Sequence, residues 1–241
     1  IGILFSCSKD NQPTEPMVDM EIPEPTATLT AKEQEFLSEY EYVTFNLSPT
    51  SFGASRNEKW VTDIKLFLQG DVSDTYRAEV VNALATFTDF FGPNLKCSLV
   101  NTLAESNVHL IFGEKDDIKD IWPDMFNQIG ETNFEGYALY KSAGGFKIYD
   151  GRIWVRNEKI PLFKHELCHI IGLGHASGGY CSGSIASNRS LMCSFLLEDF
   201  SSFDRAIIQT LYTPEIEAGK FFSELKPVIE ELLLTDVILV E

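Results

Sequence analysis

His165, Glu166, His169, Gly172 and His175 share one eleven-residue stretch, HELCHIIGLGH, which holds three of the chain's 4 histidines. Imidazoles and carboxylates are the side chains that bind metal ions and move protons near neutral pH. On a helix turning about 100° per residue, His165 and His169 lie about 40° apart on one face, and Glu166 projects about 60° beyond His169. Two imidazoles can therefore share one ion, with a carboxylate beside it. A continuous helix would carry His175 about 15 Å farther along the axis than His165, out of reach of that ion. The chain has to turn after His169, and Gly172, free to take positive φ, is the residue that permits the turn.

Three neutral imidazoles and a water form the open tetrahedral arrangement of catalytic zinc, rather than the closed four-ligand arrangement of structural zinc. Such a site gives Glu166 a chemical role. It takes a proton as the water attacks a polarised carbonyl and passes it to the leaving amine. Five fixed positions of these types arise by accident on the order of once in 10⁵ chains of this size. The shorter H-E-x-x-H core alone would compete poorly with a solvated helix face bearing two histidines. The remaining histidine, His109, falls in an apolar run and reads as structural.

The elements that must position these residues are legible in outline. Thr30 to Glu33 forms a capping box that starts a helix. Residues 46–58 read as a loop and Trp60–Leu68 as one strand. Asp74–Phe91 has helical apolar spacing and is stopped by Gly92 and Pro93. Strands follow at Val108–Phe112, Phe134–Lys141 and Lys147–Val155, with Gly151 marking a turn or bulge. Ile160–Ile171 is a helix with Pro161 in its first turn, residues 176–190 are loop, and helical periodicity returns over Phe203–Tyr212 and Phe221–Leu234.

The chain has 241 residues, 44% hydrophobic and 23% charged, the composition of a globular protein with a sizeable core. A formal net charge of −17 repels phosphate backbones, so nucleic acid is not an expected partner. No apolar run of about twenty residues spans a membrane. The opening residues IGILFSC resemble the lipobox of bacterial lipoproteins, which makes Cys7 a candidate for lipidation; a buried apolar strand with a free thiol is the competing reading. The prolines and polar residues that follow, to residue 29, read as an extended tether. With Cys7 acylated, four cysteines remain. Cys181 and Cys193 are the favoured disulfide, because both follow the histidine motif and close a short loop, whereas free buried thiols are the alternative.

HELCHIIGLGH resembles the H-E-x-x-H-x-x-G-x-x-H signature of the metzincin clan of zinc peptidases, and Ser190-Leu191-Met192-Cys193 resembles its Met-turn. The resemblance implies that Met192 packs beneath the imidazoles without ligating. FDRAIIQTLY is similar to the closing helix of matrixin-like domains, and GYALYKSAGGFKIYDGRIWV to the region that offers an edge strand to an extended substrate. The similarity covers roughly residues 60–212. Ser194 stands where some metzincins place a metal-binding Tyr, Ala176 selects no familiar subfamily, and no cysteine-switch propeptide is found. Tyr180, a conceivable oxyanion stabiliser, reads more simply as an exposed ring in a Gly-Gly-Tyr turn.

The expectation is an α+β, metzincin-like catalytic domain over 30–241, with a twisted mixed sheet in an N-terminal lobe (30–175). A smaller helical and irregular lobe follows (176–241), with Zn²⁺ held by His165, His169 and His175 in the cleft between them. The expected function is hydrolysis of peptide bonds in extended peptide or protein substrates, outside the cytoplasm, by a monomer whose one membrane contact is a lipid on Cys7. The alternatives are a non-catalytic surface binding protein with this fold, against which Glu166 argues, and a zinc amide hydrolase acting on a non-protein substrate.

Overall fold

The computed structural model describes residues 28–48, 53–183 and 188–240; Cys7 and the expected tether up to residue 27 lie outside the described residues, whereas Leu29, at the tether's expected end, packs against the core. Among the described residues the architecture is α+β, with six α-helices and a mostly parallel sheet of six strands. In chain order the main elements are α1 (Ala31–Thr44), β1 (Lys59–Trp60), β2 (Ile64–Gln69), α2 (Asp74–Phe91), β3 (Cys97–Val100), β4 (Val108–Phe112), α3 (Pro123–Ile129), β5 (Gly136–Ala143), β6 (Lys147–Val155), α4 (Ile160–Ile170), α5 (Ser202–Tyr212) and α6 (Phe222–Leu234). All six strands precede α4.

Local chemistry sets the helix starts. The Thr30 hydroxyl accepts from the Glu33 N–H while the Glu33 carboxylate accepts from the Thr30 N–H, so α1 begins at its capping box. Ser73 caps α2 by accepting from the Tyr76 N–H, and Gly92 at φ 70° ends it. The Trp60–Leu68 segment is two strands rather than one. β1 runs parallel to the start of β6, whereas β2 lies parallel between β3 and β4. The break falls at exposed residues 61–63, where Asp63 accepts from the Lys96 N–H and the Asn107 side chain instead of continuing a ladder.

β4 and β6 pair in parallel, and β5 closes the sheet antiparallel to β6. Gly151 itself is paired on both sides within β6, and the register shift lies two residues earlier: Lys141 faces Asp150 and Ser142 faces Ile148, leaving Tyr149 of β6 as the extra residue. A Cβ at residue 151 would stand 2.9 Å from Ile170, so the glycine lets α4 lie close on the sheet. β3 and α3 carry no assignment from sequence because four and seven residues are too few to express a period.

The main core lies where the sheet meets α2 and α4, and it continues through α1, α5 and α6, with Phe87, Leu66, Leu110, Phe163 and Leu211 all fully buried. A smaller cluster forms around α3, joining Met125, Ile129, Trp122, Ile111 and Trp154. Among the described residues no helix is long and apolar enough to cross a membrane.

Candidate metal centre

Helix α4 carries the first part of the site. Leu162, Phe163, Leu167 and Ile170 are buried, and the same helix takes His165 and Glu166 inside with them. Its end is a Schellman turn: the Gly172 N–H donates to the His169 carbonyl and the Leu173 N–H to the Cys168 carbonyl. Gly172 has φ +99°, and a Cβ there would collide with the Glu58 carbonyl, so backbone conformation and close packing both require glycine. The remaining terminal carbonyls are met by side chains. The Trp60 indole donates to Ile170 and the Tyr212 hydroxyl to Ile171.

The turn delivers the third imidazole. Ring centroids stand 4.7 Å apart for His165 and His169, 4.7 Å for His169 and His175, and 5.4 Å for His165 and His175. One nitrogen from each lies within 4.8 Å of the others, close enough to hold a metal ion. His165 Nδ1 is 2.8 Å from the Leu191 carbonyl and His169 Nδ1 is 2.8 Å from the Leu173 carbonyl. A carbonyl only accepts, so both Nδ1 atoms carry the proton and both Nε2 lone pairs are bare. Those Nε2 atoms stand 3.1 Å apart. Two lone pairs facing each other repel, and a shared cation turns the repulsion into ligation, so the donor set fits a metal.

Burial keeps these groups neutral. Desolvation holds His165 down to about 4, His169 well below its ordinary value and His175 below it as well, with the neighbouring imidazoles adding to the effect at His165 and His169. Neutral imidazole is the form that binds metal. Glu166 moves the other way: burial pushes its carboxyl up to about 8. Among the described residues desolvation is the one cause of that rise, with no hydrogen bond or countercharge offsetting it. The carboxylate lies against the start of β5, where a Cβ at Gly136 would stand 2.7 Å from Glu166 Oε1. Among the described residues β5 pairs only with β6, so its outer backbone edge is unpaired close to the carboxylate.

The segment after His175 is tied to a second turn. The Ala176 N–H donates to the Met192 carbonyl at 3.1 Å, Met192 is buried, and Cys181 and Cys193 form a disulfide. Asp204, buried at the start of α5, accepts from the Ser190 hydroxyl and the Leu191 N–H at 2.7 and 3.0 Å. It thereby fixes the residue whose carbonyl orients His165. Sequence reasoning passes over Asp204, although Ser201-x-x-Asp204 is a capping box and an acid on the apolar stripe of an amphipathic helix is a visible anomaly.

Other candidates fall elsewhere. Tyr180 is not an exposed ring; it is buried and stacked on Phe203 with centroids 4.2 Å apart. His109 meets Gln69 at 2.9 Å and packs between Phe67 and Trp122, apart from the other three histidines. Cys97 and Cys168 are free buried thiols, and Ser194 is exposed.

Compared with known families and with curated proteins, the chain matches none. What can be said of its chemistry therefore rests on the site itself.

Proposed function

We propose that this protein is a zinc-dependent hydrolase of the metzincin type that cleaves peptide bonds in extended substrates. The observation that carries the reading is the pairing of three neutral imidazoles, converging from a helix and the turn after it, with one buried carboxyl that has nothing else to do. Three nitrogen donors leave a fourth tetrahedral position open, as catalytic zinc requires. A zinc ion bound there would supply an acidified water and polarise the substrate carbonyl.

The chain's own residues account for the remaining steps. The backbone edge of β5 holds an extended peptide by main-chain hydrogen bonds, which brings its carbonyl alongside α4. Glu166, kept ionised by the neighbouring cation when the site is loaded, accepts a proton from the attacking water and returns it to the departing amine nitrogen. The carbonyls of Leu191 and Leu173 keep the two helical imidazoles in the Nδ1–H tautomer throughout. The Cys181–Cys193 disulfide supports a location outside the reducing cytoplasm. Anchoring through Cys7 belongs to the same proposal.

Protein loaded with zinc should contain about one ion per chain and cleave members of a mixed peptide library. Glu166→Gln should retain the metal and lose on the order of 10²–10⁴ in rate, the range for removal of a general base. Zinc-loaded wild type that leaves the whole library intact would sink the proposal. Equal capture of an intact partner by wild type and Glu166→Gln would point instead to the binding-protein alternative.

A further inference from the structure

The imidazole of His175 stands on a loop, and much of what fixes that loop comes from α1. The Gly174 N–H donates to the Val43 carbonyl at 2.8 Å, and the Ser177 N–H donates to Glu39 Oε1 at 2.6 Å. Between them, the Ala176 N–H reaches Met192. His175 is thus bracketed by hydrogen bonds from two directions, and α1 supplies both outer ones.

Glu39 is out of place for a surface helix. It lies on the buried stripe of α1 with Phe36, Leu37, Tyr40 and Val43, and its exposure is 5%. Among the described residues it makes no ion pair. A carboxylate buried without a countercharge is costly unless its oxygens find donors, and here the donors are the amide and the side chain of Ser177, two residues beyond an imidazole of the candidate metal centre. Helix α1 also lies outside the part of the chain that resembles a known peptidase signature, so that signature gives it no role.

We propose that Glu39 is a positioning residue of the metal centre: by holding the Ser177 amide it fixes the path of the loop and so the direction in which His175 offers its nitrogen. The inference rests on the reading that the three histidines bind a metal, and it is independent of whether the bound metal catalyses hydrolysis. The competing role is purely structural, with Glu39 docking α1 and leaving the site untouched.

Zinc affinity and the cobalt(II) absorption spectrum, measured on folded protein, separate the two. Glu39→Ala removes the acceptor and should lower zinc affinity about 10- to 100-fold, as loss of an outer-shell partner does, and should alter the cobalt bands. Glu39→Gln keeps an oxygen for the Ser177 N–H and should stay close to wild type in both. A Glu39→Ala protein with wild-type zinc affinity and cobalt spectrum overturns the proposal, even if its unfolding midpoint has dropped. Should Glu39→Ala not fold, Glu39→Asp decides, because it withdraws the acceptor by one methylene; affinity equal to that of Glu39→Gln overturns the proposal. Wild type that binds zinc but cleaves nothing leaves this inference standing and removes only the peptidase reading, while wild type that binds neither metal removes both.

Discussion

The two halves of the histidine cluster are held in place by different physics. His165, Glu166 and His169 belong to α4, where the helical repeat fixes their relative positions and burial of Leu162, Phe163, Leu167 and Ile170 fixes the helix. His175 belongs to a loop whose position depends on individual contacts: a glycine turn, a disulfide, and amide hydrogen bonds to Val43, Glu39 and Met192. The helical half takes polar groups into an apolar interior at a cost in stability, and the loop half draws on contacts that restore it. Geometry that a regular element supplies automatically must, on a loop, be assembled contact by contact.

The largest effect that sharpens this contrast concerns Glu166 in metal-free protein. Its carboxyl titrates near 8 in the folded state and at 4.5 by its ordinary value, so between those limits the folded chain holds more protons than the unfolded one. Stability therefore falls as pH rises through that window, and the cost vanishes below it, where both states are protonated. Glu166→Gln cannot ionise. Its unfolding free energy should match wild type near pH 4.5 and exceed it increasingly towards pH 8, by an amount on the order of a few kcal/mol, read by denaturant unfolding. A pH-independent difference between the two proteins would break the claim that the helical half is buried at a cost.

On the loop side, replacing both Cys181 and Cys193 by Ser opens a ring spanning a separation of 12 residues. Chain entropy alone predicts a loss of about 3 kcal/mol, read by denaturant unfolding, with zinc affinity reduced because His175 loses one of its supports. Unchanged stability and affinity would mean that the hydrogen bonds suffice. The smallest effect lies at the junction of the halves. Gly172→Ala forces a side chain into left-handed backbone against the Glu58 carbonyl, with a cost of about 2 kcal/mol and weaker zinc binding. Wild-type zinc affinity in that variant would show that the turn does not govern the third imidazole.

The same division explains what can be read in the sequence. Spacing alone places His165, Glu166 and His169 on one helix and requires a break at Gly172, because those are consequences of a fixed period. α2, β4, β6 and α5 are legible for the same reason. The partners of Glu39 and Asp204 are not, since each carboxylate acts on the backbone amide of another segment, Ser177 and Leu191 respectively, and no local pattern records which amide a carboxylate will meet. β3 and α3 escape because they are too short for periodicity. Trp60–Leu68 reads as one strand because Trp60 of β1 and Ile64, Leu66 and Leu68 of β2 fall on one alternation, and the change of partner at Asp63 is a tertiary event.

The Cys181–Cys193 link has one further consequence for a protein proposed to cut exposed chains. A single cleavage of any peptide bond between those two cysteines opens the ring but releases neither end. A nick in that loop leaves both ends attached for as long as the surroundings keep the sulfurs oxidised.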